Sequence, residues 1–499
     1  MESSLWDELQ RRMGELRDFG SVVGLLTWDQ ETFMPKGSAE ARAVQLSAMQ
    51  ALIHERLTDP RLGELLEAAA ADADETRAAM VRNLARERAR AVKVPPRLVR
   101  ELAETQARAV EAWRAARSER RFALFQPWLE RLLELRREQA DAIGGGAERY
   151  DALLDAHEPG MSVARIEPLF AELERALVPI VATLADGQRP PAWDYAGLRF
   201  PADAQWEFTL HLLGEMGFDL ERGRQDRSTH PFTDGIHRDD VRLTTRIAEE
   251  EPFLAIFSTI HEGGHGLYEQ NLPADHARDP IGQAASMGLH ESQSRLWENM
   301  IGRSLAFWRR QLPALRRFFP AQLEGVEPEA IYAAVNQVRR SPIRTDADEV
   351  TYNLHILLRF QLELAMLRGD LRVADLPGAW NERMRRDVGI EPLHDGEGVL
   401  QDIHWAWAEF GYFPTYTLGN LYAAILRERI DVDLGGLDRV IEEGSLHAVR
   451  DWLVERVHAV GHRWDAEEIV ERATGQKLTV APFLRYLREK YGALYGAAL

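Results

Sequence analysis

Apolar residues recur three or four positions apart along most of the chain, which predicts one helix after another. Leu5, Leu9, Met13 and Leu16 open the pattern, and it resumes through Val22-Val23-Gly24-Leu25-Leu26. The segment from Trp28-Asp29-Gln30 to Met34-Pro35-Lys36-Gly37 reads as a break, punctuated by Pro and Gly. Helical composition returns over 39–55, and an Ala- and Arg-rich run over 62–92 lasts until Pro95-Pro96. Further helices are predicted over 98–117 and 128–143, the second ended by Gly144-Gly145-Gly146. Glu158-Pro159-Gly160 marks a turn, Ser162 is the N-cap of a helix to about Ala182, and Ala204 to Met216 is helical.

Period-two alternation enters in Val241-Arg242-Leu243-Thr244-Thr245-Arg246-Ile247. Val241, Leu243, Thr245 and Ile247 face one way and the polar residues the other, which predicts a strand. Beyond it, helices are expected over 283–301, 309–319, 328–339, 346–367, 418–428, 446–458, 467–473 and 482–491. Pro342, the Gly-containing stretch 387–402 and Pro414 interrupt them. The fold class is mostly α.

Between the strand and the later helices, Leu254, Phe257, Ile260, Gly264 and Leu267 keep helical spacing through His261-Glu262-Gly263-Gly264-His265. Residues four apart lie one above the other on a helix, so His261 and His265 can offer two imidazole nitrogens to one metal ion. Glu262 is then close enough to touch a water on that metal. This is the zinc-peptidase pattern H-E-x-x-H, in which zinc brings the pKa of water down to about 7 and the glutamate takes the proton. Gly263 and Gly264 each weaken a helix by roughly 1 kcal/mol relative to Ala. Their presence predicts that another backbone, or a substrate, comes close there.

Two histidines leave a catalytic zinc one protein ligand short. Glu291, 26 residues after His265, is preferred; Glu298, on the same helix face, is the fallback or a supporting partner, and His290 a third choice. Beside such a site an edge strand commonly holds a substrate backbone as an added strand. The strand at 241–247 is expected to do that, or else to belong to a small structural hairpin.

Composition narrows the partners. The formal net charge of −19 argues against nucleic acid and anionic membrane. The absence of cysteine excludes disulfides and thiolate zinc ligands, so any metal is held by His and carboxylate. Met1-Glu2-Ser3-Ser4-Leu5-Trp6-Asp7-Glu8 has neither a basic n-region nor an apolar h-region, so no signal peptide is expected. No apolar run approaches the roughly 18 residues that span a bilayer, and a cytoplasmic location is expected. A length of 499 residues is read as one domain: a mainly helical part over 1–225, a metal and substrate part over 226–430, and a helical end over 431–499.

Three further polar clusters suggest a substrate site: His230-Pro231-Phe232, Ile343-Arg344-Thr345-Asp346-Ala347-Asp348 and Gln401-Asp402-Ile403-His404-Trp405. In order along the chain, His230-Pro231-Phe232, Asp240-Val241-Arg242-Leu243-Thr244, His261 to His265, His290-Glu291-Ser292-Gln293, the Arg344 segment and Gly398 to Trp405 resemble the carboxypeptidase Taq family. Trp28-Asp29-Gln30 with Met34-Pro35, and Tyr150 to Leu154 with Glu158-Pro159-Gly160, extend the likeness over nearly the whole chain.

The resemblance implies a metallocarboxypeptidase of broad specificity, removing single amino acids from peptides with a free C-terminus. It implies a large helical zinc-peptidase fold with a deep cleft and a small sheet beside the metal, similar to neurolysin and angiotensin-converting enzyme. One Zn2+ per chain is implied, with Co2+ as an alternative, and a homodimer. Position by position, His261, His265 and Glu291 become the ligands and Glu262 the general base. By analogy with related helical zinc peptidases, Tyr416 is the first choice to stabilise the oxyanion. His404 and His230 are candidates for a second donor or for holding the substrate backbone. The free carboxylate calls for a cation, with Arg344 first and Arg242 second. An oligopeptidase of the same fold and a metal-free peptide-binding scaffold are the competing readings.

Overall fold

The computed structural model describes residues 2–71 and 73–499. Met1, the first residue of the stretch read for a signal peptide, and Asp72, inside the predicted 62–92 run, lie outside the described residues. Helices dominate, as the 3.6-residue periodicity requires, and one apolar core runs from Ala109 to Tyr491. A smaller cluster joins Leu9 and Met13 of the first helix to Leu62, Leu65, Leu66 and Leu84.

Several predicted boundaries move, each for a local reason. The first helix runs unbroken over Glu2–Thr32, so Trp28-Asp29-Gln30 forms its end rather than a break. Trp28 is buried there, and Thr32 Oγ1 donates to its carbonyl at 2.7 Å. The 62–92 run is two helices, Pro60–Ala70 and Glu75–Lys93, each opened by an N-cap aspartate, Asp59 and Asp74. The predicted 346–367 helix starts at Tyr352, because Asp348 folds the chain into a turn that accepts the Val350 and Thr351 amides. Pro414 starts a helix instead of breaking one: it lies at the first position of Pro414–Asp433, where its missing N–H costs nothing.

The sheet has three strands, β1 (Gly223–Arg227), β2 (Thr233–His237) and β3 (Asp240–Thr245), in the order β1-β3-β2. β3 is the predicted strand, beginning one residue earlier and ending two residues earlier than expected, with Val241, Leu243 and Thr245 buried. It is central, parallel to β1 and antiparallel to β2, so the expectation of an edge strand is wrong. Its backbone groups are already paired on both sides and cannot accept an added strand. The outer strand that reaches the metal helix is β2. β1 shows no apolar alternation because its buried positions, Gln225 and Asp226, are polar, and β2 buries only Ile236. Gln225 Nε2 donates to Thr209 Oγ1 at 2.9 Å and its Oε1 accepts from Thr259 at 3.0 Å.

The motif sits on the helix Pro252–Gln270, and the helix Met287–Arg295 crosses it, capped by Ser286 Oγ on the Leu289 amide at 2.9 Å. That second helix continues as a π-helical stretch, Leu296–Gly302. Gly264 explains the contact: a Cβ there would lie 2.8 Å from the Gln293 carbonyl oxygen and from Ser294 Cα. Gly419, on Pro414–Asp433, closes the other side, since a Cβ there would lie 2.7 Å from Glu291 Cβ. Two glycines thus clamp the helix that carries Glu291 between its neighbours.

Candidate metal centre and substrate cleft

His261, His265 and Glu291 converge, each offering one ligand atom, with all three atoms within 4.8 Å of one another. Glu291 Oε2 lies 3.4 Å from His265 Nε2 and 3.7 Å from His261 Nε2. A tetrahedral ion with bonds of about 2.1 Å needs its ligand atoms about 3.4 Å apart, close to the two distances from Glu291 Oε2.

The partners of the two rings fix which nitrogen is free. His261 Nδ1 donates to Glu298 Oε2 at 2.9 Å, which leaves the Nε2 lone pair facing Glu291. His290 Nε2 donates to Glu269 Oε1 at 2.8 Å, so His290 Nδ1 is an acceptor. His265 Nδ1 donates to it, and His265 Nε2 is left as a lone pair toward the same point. Glu291 is held in turn by Arg295 Nε on Oε1 at 2.6 Å and Ser294 Oγ on Oε2 at 3.1 Å. Glu298 is held by Arg303 Nη2 at 2.9 Å.

Electrostatics agree with a place for a cation. Burial, reinforced by His290, pushes His265 down to about 3, so it is neutral and able to ligate. Burial opposes a proton on His261 too, but the carboxylates of Glu291 and Glu298 outweigh it and hold that imidazole above its usual value. Burial works against ionising Glu291, yet Arg295 and the two histidines hold its carboxyl well below the usual range. The carboxylates therefore favour positive charge at this point.

Glu262, buried beside His261, accepts from Thr233 Oγ1 on Oε2 at 2.7 Å, and the same hydroxyl reaches the Glu262 carbonyl at 3.1 Å. Burial raises its carboxyl above the ordinary range, against the pull of His261 and Thr233. A carboxyl with raised proton affinity, one oxygen tied and the other free, suits proton transfer.

A cleft of about 600 Å3 opens in front of His261 and Glu262. Phe253 and Phe257 line one wall, Arg295, Arg344 and Tyr352 another. Arg344 is nearly buried: Nε and Nη2 donate to Asp402 Oδ1 at 3.0 and 2.9 Å, and Nη1 donates to Tyr352 Oη at 3.1 Å. Its guanidinium lies 5.2 Å from the Tyr416 ring, and Tyr416 Oη is 3.4 Å from His404 Nε2. Burial lowers His404 to about 4 and pushes the Tyr416 hydroxyl up.

The fold therefore brings Glu262, His261, His265 and Glu291 together at one end and Arg344, Tyr416 and His404 at the other. Two predicted residues are not brought in. Arg242 forks onto Asp240 at 2.8 and 2.9 Å and covers the Trp28 ring at 4.3 Å. His230 is exposed on the turn between β1 and β2; its neighbour Pro231 lines the cleft instead.

Sequence reasoning missed Arg295, Glu269 and Thr233. Arg295 and Glu269 each follow a ligand by four residues on the same helix, a spacing that pairs side chains and could have flagged them. Thr233 lies on a strand with no apolar signature, so nothing local pointed to it.

Comparisons with known proteins bear on this geometry. The family model described as carboxypeptidase Taq (M32) metallopeptidase matches residues 8–491. A thermostable carboxypeptidase 1 of Thermus thermophilus is 44% identical, covering 98% of both chains. Carboxypeptidase 1 of Bacillus subtilis is 37% identical over 99% of this chain and 98% of its own. The crystal structure of an M32 carboxypeptidase from Deinococcus radiodurans R1 superposes with a TM-score of 0.96 at 41% identity, covering 99% of this chain and 100% of that one.

Proposed function

The chain belongs to the carboxypeptidase Taq (M32) metallopeptidase family and is a metal-dependent carboxypeptidase, and from that premise we propose the finer assignment: zinc held by His261, His265 and Glu291, with Glu262 as general base. The observation that carries it is the convergence of two imidazole lone pairs, each fixed by a partner on Nδ1, with one Glu291 oxygen. When bound, zinc, or cobalt in its stead, lowers the pKa of a water to about 7 and polarises a carbonyl.

The residues of the chain do the rest. Thr233 ties Glu262 Oε2, so Oε1 takes the proton of the attacking water and later gives it to the leaving amine. Tyr416 donates to the oxyanion, with His404 behind its hydroxyl. Arg344 has five N–H donors, of which Asp402 and Tyr352 engage three, and the remaining two clasp the substrate's free carboxylate. His230, exposed beside the cleft wall, is assigned to an incoming peptide rather than to the reacting carbonyl.

The same reading has the protein act in the cytoplasm as a homodimer with one ion per chain. Support for the dimer comes from the family alone; among the described residues no helix is long and apolar enough to cross a membrane. The test is one peptide supplied with a free and with an amidated C-terminus, digested with added zinc and read by mass spectrometry. A ladder that shortens one residue at a time from the free terminus, with the amide uncut, is expected. Internal cuts in both peptides would mean an oligopeptidase.

A further inference from the structure

The carboxylate-reading end of the cleft holds a second guanidinium that no substrate can touch. Arg359, on the helix Tyr352–Arg368, is fully buried, its guanidinium over the Trp380 ring at 4.6 Å. Its Nε donates to Asp402 Oδ2 at 2.7 Å, its Nη2 lies 2.6 Å from the same oxygen, and its Nη1 donates to the His355 carbonyl at 2.6 Å. Arg344 takes the other oxygen of the same carboxylate, Oδ1. Two guanidiniums thus share one carboxylate, and among the described residues neither is bonded to another.

The two imidazoles beside them add no charge. Burial, together with Arg359 and Arg344, lowers His355 to about 3, and burial lowers His404 to about 4. Burial pushes the Tyr416 phenol up, so that it adds none either, and the Tyr352 hydroxyl accepts from Arg344. The cluster therefore carries one surplus positive charge in a setting poor in water, which is unfavourable until an anion arrives. Arg344 is the one member of the guanidinium pair that lines the cleft.

We propose that Arg359 is a charge-setting, positioning residue: by occupying Oδ2 of Asp402 it prevents Asp402 from neutralising Arg344, so that the terminal carboxylate of the substrate completes a cluster of two cations and two anions. This rests on the reading of Arg344 as the carboxylate clamp. Arg359 acts through Arg344 and touches no reacting atom.

The experiment is steady-state hydrolysis of a free-C-terminal peptide by the zinc-loaded protein, with metal content measured for each variant. Arg359→Gln is expected to raise KM by about 10- to 30-fold, the worth of one nearby unit charge at intermediate dielectric, while kcat and metal content hold. Arg359→Lys, which keeps the charge, stays within about threefold of the parent KM. The decisive variant is Arg359→Gln with Asp402→Asn, which restores the net charge and should bring KM back toward the parent value. Additive losses in that double variant would show a merely structural role and overturn the proposal. Where Arg359→Gln alone fails to fold, the double variant decides: KM within about threefold of the parent supports the charge account, and a rise of about tenfold or more overturns it. Arg344→Gln separates the two layers. If it leaves the preference for free over amidated termini intact, the clamp reading fails; if it abolishes that preference while Arg359→Gln leaves KM unchanged, only the proposal about Arg359 fails.

Discussion

At the metal end of the cleft, the carboxylates of Glu262, Glu291, Glu298 and Glu269 surround two imidazoles, with Arg295 and Arg303 as the cations bonded among them. At the other end, two guanidiniums are bonded to one carboxylate. Each end carries unbalanced charge, and the missing sign is that of its ligand: a divalent cation in the first case, a peptide carboxylate in the second. Neither end is built for stability alone, since a buried charge cluster left unbalanced costs more than a neutral one. The two imbalances sit on different elements, the crossed pair Pro252–Gln270 and Met287–Arg295 against the helix Tyr352–Arg368 and the Asp402 segment, and Tyr352 lies between them, its ring under Arg295 at 4.6 Å and its hydroxyl bonded to Arg344.

The comparison is sharpened most by removing chemistry at the metal end while keeping its geometry. Glu262→Gln should lower kcat by about 10^2- to 10^4-fold with metal content unchanged, measured by steady-state kinetics and elemental analysis on the same sample. A fall in metal content instead would make Glu262 a ligand rather than a base. Next in size, Glu298→Gln should weaken metal affinity by about 10- to 100-fold in a chelator competition while leaving KM alone, because it frees the His261 ring. If KM moved and affinity did not, the two ends would be less separate than described.

Gly264→Ala tests the crossing itself. Its Cβ would meet backbone atoms at 2.8 Å, so the helices must part and carry Glu291 away, at a cost of about 1–3 kcal/mol in denaturant unfolding together with weaker metal binding. Gly263→Ala meets only the ends of Met216 and Leu213 and should be milder. The smallest effect lies outside both ends. Glu158 and Glu363 are fully buried, and burial pushes both up to about 7 from an ordinary 4.5. Between those values the folded state binds more protons than the unfolded one. The stability they give is complete below about pH 4.5 and is lost as pH rises through about 7. Glu158→Gln and Glu363→Gln should each flatten the fall of Tm across that window; an unchanged slope would mean that neither titrates there.

The sequence was informative where the chemistry is local. His261, Glu262 and His265 lie within five residues on one helix face, and Glu291 follows at a distance that the next helix explains. The glycine pair announced a close backbone, and Gln293 and Ser294 supply it. Arg344 and His404 stood out as members of polar clusters, but nothing in their spacing implies that they meet; only the resemblance to a family pattern joined them. Arg359 and its partner Asp402 lie 43 positions apart, and no helical periodicity could reveal the pairing. β1 was hidden because polar side chains bonded to their neighbours fill its buried positions, and β2 because it buries a single residue, Ile236; with both unseen, β3 was taken for an edge.

The claim on which the rest depends is that one divalent ion sits between His261, His265 and Glu291. Anomalous scattering at the zinc edge, from crystals grown with zinc, measures this directly. One peak per chain is predicted, about 2.0–2.2 Å from Nε2 of both histidines and from Oε2 of Glu291. No peak there, or a peak coordinated by other side chains, would contradict the account.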